Sequence, residues 1–311
     1  MARGNGLFAI LLFFALIVIE AAHRMKRKDL GPPVAKTDLR RPKGLHVGQG
    51  RDGLRKRDVI PKGNDPDVRF GDEIFRRILT RALDKGYRFS RFDEVGENGA
   101  VSGGPLFYLR HDVDISPPMA IHLGRIEHEH GVKANFFFQI NAETYSLFVP
   151  ETLDIIRDLR AMGHCVGLHI DEQLIGADEQ AIEQTFDWLL HRIIDVDRAV
   201  SFHRPSREVL GRRYARFVNA YDDRVFDGGS YLSDSRRSLA FHETLEAWLD
   251  EGKPHIQLLL HPEWWCEVNS LDQLWGMLSD RRTDQLSRYM LKNFPKVFNG
   301  LLHDGDRIFP I

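Results

Sequence analysis

Short apolar runs alternate with helical apolar periods along residues 70–311 of this 311-residue chain. A short apolar run bounded by polar residues predicts a buried strand, and apolar residues three or four positions apart predict an amphipathic helix. Strands that alternate with helices indicate a parallel sheet or barrel. The predicted strands are 105–111, 135–140, 165–169, 199–202, 229–231 and 256–260, and the predicted helices are 74–85, 116–130, 153–162, 178–194, 207–219, 241–251 and 281–302.

Polar residues follow directly after the carboxyl ends of four predicted strands. They form the segments 111–114, 169–171, 203–205 and 261–263, each of which contains a histidine. In α/β barrels the carboxyl-terminal rim of the strands carries the chemistry. Four independent strand ends of this kind predict one shared site.

The first of these segments contains two aspartates two residues apart. Asp112 and Asp114 share one face of an extended strand, where like charges repel and burial penalises both. A bound cation removes that penalty, so the pair indicates a metal site. His169 ends an apolar strand before Asp171, and it joins the pair as a ligand candidate, although alone it is typical of a hydrogen-bonded core histidine.

Two further residues suggest roles beside such a metal. Arg204 follows a predicted strand, and we expect its guanidinium to reach a carboxylate in the cleft. His261 precedes Trp264 and Trp265, and a titratable histidine beside two indoles suits proton transfer next to a sugar-binding surface. The alternative for the two tryptophans is packing at the rim.

The charge distribution bears on the partner. The net charge is −2, but residues 23–70 contain 14 basic and 6 acidic residues, so that residues 71–311 carry −10. An acidic body argues against nucleic acid as the main partner, because phosphate binding needs a basic surface. Two cysteines make no disulfide framework, and Cys165 lies in a strand-like run that predicts a core position.

The amino-terminal region divides into two segments. Residues 7–19 are unbroken apolar, which is short for a membrane span of about 17–25 residues, and residues 1–22 fit either a cleaved signal or a membrane anchor. The basic residues at 24–28 favour a cytoplasmic body if the segment is kept, whereas cleavage would export it. Residues 23–70 are rich in Gly, Pro and basic residues and predict a solvated linker. Residues 71–311 then form the catalytic domain.

Residues 70–265 resemble the polysaccharide deacetylase family, the NodB-homology domain of carbohydrate esterase family 4, in its His-Asp-Val-Asp variant. The resemblance implies an α/β fold, an irregular (β/α) barrel of about seven parallel strands. It rests on motifs in family order: Arg-His-Asp-Val-Asp at 110–114, Gly-His-Cys-Val-Gly-Leu-His at 163–169, Ser-Phe-His-Arg-Pro at 201–205, Tyr-Leu-Ser-Asp-Ser at 231–235 and Leu-Leu-Leu-His-Pro at 258–262.

The resemblance also implies a role for each matching residue. Asp112 corresponds to the general base, and Asp114 and His169 correspond to metal ligands. Arg204 corresponds to the arginine that positions the base, and His261 corresponds to the general acid.

One position departs from the family pattern. The family usually has a second histidine four residues after the first, and this chain has Gln173 there. Zinc prefers histidine, cysteine or carboxylate ligands to a neutral amide. His203, at a neighbouring strand end, is the best substitute, ahead of His111 and Asp171.

These features together predict a metal-dependent hydrolase, with zinc as the expected metal, that removes an N-acetyl group from a glycan. Two alternatives stay open. One is hydrolysis of another amide or a cyclic imide on the same fold, because a fold does not determine a substrate. The other is a catalytically silent, membrane-tethered glycan-binding protein, which Gln173 favours.

Overall fold

A computed structural model describes residues 70–96, 103–268 and 270–298. The predicted segment 1–22, and the predicted linker 23–70 except for Phe70, lie outside these residues. Within the described part of the chain, no helix is both long enough and apolar enough to cross a membrane.

Strands and helices alternate along the described residues as the apolar pattern predicts. The strands are β1 (Arg88–Phe89), β2 (Leu106–Val113), β3 (Asn135–Gln139), β4 (Cys165–Asp171), β5 (Ala199–His203), β6 (Val218–Asn219), β7 (Tyr231–Ser233) and β8 (His255–Leu260). The helices are α1 (Asp72–Asp84), α2 (Pro117–Glu129), α3 (Pro150–Ala161), α4 (Glu179–Arg192), α5 (Leu239–Glu251), α6 (Leu271–Asn293) and α7 (Pro295–Phe298), with 3-10 turns at Phe92–Glu94 and Pro262–Trp264.

The described strands form one sheet in which all pairs are parallel. The order is β6-β5-β4-β3-β2-β8-β7, and β1 pairs with the start of β2 on the edge that β3 occupies further along. Seven strands follow one path whose ends, β6 and β7, are not paired with each other. The fold is therefore an incomplete (β/α) barrel, which confirms the predicted class.

Side chains alternate between the two faces of the sheet, as the period of a strand requires. On β2, Phe107 and Leu109 belong to the large core between sheet and helices. Tyr108 belongs to a smaller core inside the barrel, together with Phe137 and Cys165. The even-numbered residues of β2 therefore face the interior, and this parity carries the two aspartates of the predicted motif to the barrel mouth.

Gly167 lets β4 approach its neighbours closely. A Cβ atom at this position would lie 2.2 Å from the carbonyl oxygen of Ala199 and 2.9 Å from the Phe137 ring. No other residue fits there without moving the backbone. His169, two residues further along the same strand, therefore faces the barrel mouth.

Two predicted helices are wrong in place or extent. Residues 207–219 form turns and bends followed by β6, because the Asn219 side chain donates to the carbonyl oxygens of Val209 and Arg212 in place of helical N–H groups. The predicted helix 281–302 begins ten residues earlier, as α6 at Leu271, where the Ser270 hydroxyl accepts from a backbone N–H of the first turn, and α6 ends at Asn293.

Candidate metal and catalytic site

Five predicted site residues lie at one end of the barrel. Asp112 and Asp114 are at the end of β2, His169 is near the end of β4, His203 ends β5 and His261 follows β8. The carboxyl ends of parallel strands meet at one edge, so residues up to 149 positions apart in sequence become neighbours.

Three of these residues form a compact group of potential metal ligands. The Nε2 atom of His169 lies 3.3 Å from Oδ1 of Asp114 and 3.2 Å from Nδ1 of His203. The third edge, from His203 Nδ1 to Asp114 Oδ1, is 3.6 Å. A tetrahedral zinc ion with bonds of about 2.0 Å holds its ligand atoms about 3.3 Å apart. One carboxylate and two imidazoles at this spacing fit one divalent cation.

The position of Gln173 explains how the chain departs from the family pattern. Gln173 is exposed in the turn after β4, where its backbone N–H donates to Asp171. His203 supplies the third donor of the group instead, as the sequence favours. Of the two other substitutes, Asp171 is not part of the ligand group. His111 is buried on the helix side of the sheet, where its Nε2 atom lies 2.5 Å from Glu127.

The hydrogen bonds of His169 leave one ring nitrogen available to a metal. Its Nδ1 atom lies 2.6 Å from the Ser201 hydroxyl, which in turn donates to Asp112 at 3.1 Å. Because the hydroxyl proton points to the carboxylate, Nδ1–H donates to the hydroxyl oxygen. Nε2 points to Asp114 and His203, where a metal would take the place of an Nε2 proton. Such a second-shell contact fixes the tautomer that a metal requires. Burial also lowers the pKa of His203, which favours its neutral, metal-binding form.

Asp114 is held by a neighbour from β3. Gln139 donates from Nε2 to Asp114 Oδ1 at 2.6 Å, and the Thr144 hydroxyl donates to the Asp114 carbonyl oxygen. Burial opposes ionisation, but the hydrogen bond and charge of His169 outweigh it and lower the pKa of Asp114. The carboxylate is therefore ionised and oriented before any cation binds.

Asp112 forms a buried ion pair inside the barrel. Arg110 donates from Nε and Nη2 to the two oxygens of Asp112, at 2.9 Å and 2.7 Å, and neither side chain is more than 4% exposed. The guanidinium also lies over the Tyr221 ring and donates to its hydroxyl. Burial would raise the pKa of Asp112, but the charge of Arg110 outweighs it and holds that pKa well below the usual range. Asp112 is thus ionised at any physiological pH.

Arg110, and not Arg204, pairs with Asp112. Arg204 is exposed, and within residues 70–96, 103–268 and 270–298 it forms no hydrogen bond or ion pair. Its backbone lies in the left-handed region with φ of 56°, which turns it away from the interior direction that Ser201 and His203 follow on β5. The prediction that Arg204 reaches a carboxylate in the cleft is therefore wrong.

Asp234 orients His261 and stabilises the protonated form of its imidazole. The Nδ1 atom lies 2.6 Å from Asp234 Oδ1, and the His261 backbone N–H donates to Oδ2 of the same carboxylate. Burial opposes the charge on the imidazole, but the Asp234 contact outweighs it and raises the pKa of His261 to about 9. Its Nε2 atom lies 3.8 Å from Asp114 Oδ2. A protonated imidazole therefore faces the ligand group.

The two tryptophans after His261 have different roles. Trp265 is 1% exposed, packs against Phe70 and Phe75, and donates its indole N–H to Asp234 at 2.8 Å. It supports the histidine from within the core, so the prediction of a sugar-binding surface is wrong for Trp265. Trp264 is partly buried, with its ring 6.2 Å from the His261 ring, and it stays a candidate for that surface.

A second group of potential ligands lies at the other end of the barrel: Asp93, Cys165 and Asp197. Arg91 pairs with Asp93, and Arg160 donates to Asp197. Burial raises the pKa of the Cys165 thiol well above its usual value. Both carboxylates are already neutralised and the thiol is protonated, so this group does not call for a cation.

The sequence analysis does not predict that Arg110, Ser201 and Asp234 belong to the site. All three lie inside motifs that the sequence shows, at 110–114, 201–205 and 231–235. Arg110 and Ser201 are polar residues at inward-facing positions of apolar strands. Their alternation with the apolar residues of each strand could have revealed these roles, because a buried polar group needs a hydrogen-bond partner.

Comparison with known proteins finds solved structures that are similar to this chain but no match by sequence. No known family model and no curated protein matches the chain. The chain is similar to a deacetylase of Streptococcus pyogenes, PplD, with 13% identity, 62% of this chain and 84% of that chain covered, and a TM-score of 0.34.

Two further solved structures are similar to a comparable extent. The chitin deacetylase of Colletotrichum lindemuthianum has 19% identity, covers 58% of this chain and 83% of its own, and has a TM-score of 0.34. The catalytic domain of a peptidoglycan N-acetylglucosamine deacetylase of Eubacterium rectale has 16% identity, 60% and 89% coverage, and a TM-score of 0.36. All three of these proteins are deacetylases.

Proposed function

We propose that this protein is a metal-dependent hydrolase that removes an N-acetyl group from a carbohydrate. One observation carries the proposal: an ionised carboxylate and a protonated imidazole each lie beside a different residue of one group of metal ligands. Asp112 Oδ2 is 3.7 Å from His169 Nε2, and His261 Nε2 is 3.8 Å from Asp114 Oδ2. A base and an acid placed in this way serve the two proton transfers of amide hydrolysis.

Asp114, His169 and His203 would hold the metal. When bound, a divalent cation supplies Lewis-acid chemistry, because it increases the acidity of water and polarises an acyl oxygen. Zinc is the metal that this set of one carboxylate and two imidazoles suits best.

Asp112 accepts the proton of the attacking water. Arg110 keeps this carboxylate ionised but also makes it a weak base, since its pKa is held so low. A weak base removes a proton from water only when that water is unusually acidic. The ion pair therefore supports a metal-dependent reaction over one driven by the carboxylate alone.

His261 donates a proton to the departing nitrogen. An amine leaves poorly unless it is protonated, so amide hydrolysis needs an acid at this point. Asp234 raises the pKa of His261 to about 9, so the ring carries its proton at neutral pH. Trp264, beside this ring, offers an indole face to the sugar that carries the acetamido group.

His203 bears on the alternative of a silent glycan-binding protein. Gln173 favours that alternative because it removes a ligand, but His203 restores a three-donor group at the spacing that a cation needs. The N-acetylated glycan is supported by the family motifs. Hydrolysis of another amide or of a cyclic imide is distinguished from this reaction by whether acetate is released from a glycan.

The test is acetate release from N-acetylated chito-oligosaccharides by the full chain with zinc. Asp112→Asn should lower the rate by at least about 100-fold, as expected for loss of a general base. Asp171→Asn, at the end of β4 but outside the ligand group, is the matched control and should stay within a few-fold of wild type. Full activity of Asp112→Asn would refute the mechanism. Hydrolysis of a cyclic imide, with no acetate from any glycan, would refute the substrate.

A further inference from the structure

Helix α6 is long but hardly packed against the rest of the protein. Of its 23 residues, all within the described part of the chain, Leu274 is the one that is buried. A cavity of about 340 Å³ lies between part of α6 and the body and is lined by Met119, Trp265 and Met277, among others. Helices that lack tertiary packing are marginal in water. A helix of this length therefore calls for another surface to cover it.

Large apolar side chains project from one side of α6. Leu271, Trp275, Leu286 and Tyr289 follow one another at intervals of 4, 11 and 3 residues, which place them on the same face of a helix. They are 48%, 71%, 46% and 59% exposed. Phe294 and Val297 continue this surface into α7. The name "α6 face" is used below for these residues: Leu271, Trp275, Leu286, Tyr289, Phe294 and Val297.

The carboxyl-terminal half of this surface is basic although the body is acidic. Residues 281–298 contain five basic residues and one acidic residue, whereas residues 71–311 as a whole carry −10. Arg288 pairs with Asp284, and Lys292 and Lys296 are exposed among the apolar side chains. Cations therefore flank the exposed aromatic residues, which indicates an anionic partner with an apolar interior.

Helix α6 is also joined to the rim of the candidate site by hydrogen bonds. Arg282 donates to the backbone carbonyl oxygens of Glu143 and Thr144. The Thr144 hydroxyl donates to the carbonyl oxygen of Asp114. One loop thus connects the helix to a residue of the ligand group.

We propose that the α6 face binds the surface of an anionic lipid bilayer. A helix with exposed aromatic and aliphatic side chains on one face and Lys or Arg beside them lies in the headgroup region of membranes. Each basic side chain near an anionic surface adds about 1 kcal/mol of attraction. A second copy of this chain fits less well, because a two-fold contact through this face would bring two basic segments together.

The test is co-sedimentation of the full chain with lipid vesicles. Every arm carries Leu12→Asp and Phe14→Asp, which interrupt the apolar run of residues 7–19, so that binding reports on the rest of the protein. We expect the protein to pellet with vesicles of equimolar phosphatidylcholine and phosphatidylglycerol, and to bind vesicles of phosphatidylcholine alone at least about tenfold more weakly.

Three paired variants identify the surface. Tyr289→Ser with Phe294→Ser removes apolar area, Lys292→Glu with Lys296→Glu reverses charge, and each pair should weaken binding at least about tenfold. Leu174→Ser with Leu210→Ser is the matched control, since these residues are 62% and 42% exposed elsewhere, and should leave binding within about twofold.

Three outcomes would overturn the proposal. One is the absence of vesicle binding, and another is equal binding of the α6 variants and the control. The third is a dimer in lipid-free solution, seen by sedimentation velocity, that Tyr289→Ser with Phe294→Ser dissociates, because a second copy would then cover this face.

Discussion

The substitution Arg110→Met removes the positive charge beside Asp112 and keeps an unbranched side chain in the barrel. The Arg110 side chain is 0% exposed and the Asp112 side chain 4%. Two unit charges about 4 Å apart at an effective dielectric constant of about 20 attract by about 4 kcal/mol. Loss of one partner of a buried pair costs about 3–5 kcal/mol, a large part of the 5–15 kcal/mol that stabilises a typical domain.

The free energy of unfolding in urea at pH 7 measures this loss. Arg91→Met is the matched control, because Arg91 also bonds the aspartate two residues ahead of it, Asp93, with side chains 18% and 23% exposed. We expect about 3–5 kcal/mol for Arg110→Met and about 1 kcal/mol for the control. Arg110→Met with Asp112→Asn should recover most of the loss, since no buried charge is then left unpaired.

The pH dependence gives an independent check. In wild type the pKa of Asp112 is depressed, so its stabilisation is complete above the unfolded value of about 4 and is lost as the pH falls through the folded value. In Arg110→Met the largest effect that opposes burial is lost and the pKa of Asp112 should rise, so the stability gap between wild type and variant should narrow as the pH falls. A loss below about 1 kcal/mol, or one equal to that of Arg91→Met, would refute the electrostatic reasoning.

Two further predictions concern the acid and the metal ligands. Asp234→Asn removes the charge that raises the pKa of His261 to about 9, so the alkaline limb of the pH–rate profile should move at least about one unit to lower pH; an unmoved limb would show that His261 is not the acid. His203→Ala should weaken zinc binding at least about tenfold by equilibrium dialysis, and Gln173→Ala should leave it within about twofold; the reverse order would restore Gln173 as the ligand.

The sequence predicts the sheet well because local signals determine it. Apolar strands such as β2 and β4 alternate with amphipathic helices, and this pattern leaves few folds other than a parallel barrel. The prediction of secondary structure fails where tertiary contacts override the local sequence pattern. The side chain of Asn219 bonds the carbonyl groups of residues 209 and 212, and so a segment that reads as a weak helix forms turns.

The site was predictable at its strand ends but not in its interior. His203 was favoured as the substitute for the missing ligand because it ends the strand next to His169. The partner of Asp112 was sought at the rim, in Arg204, but it lies inside the same strand, two residues away. A charged residue within an apolar strand looks like an exception in sequence, and only the direction of its side chain reveals that it is paired.

The most direct test of the central claim is the location of zinc in crystals of the protein. Anomalous diffraction at the zinc edge should show one strong peak about 2.0–2.2 Å from Oδ1 of Asp114, Nε2 of His169 and Nδ1 of His203. A peak at Asp93 and Asp197 instead, or a mouth that stays empty at saturating zinc, would contradict the account.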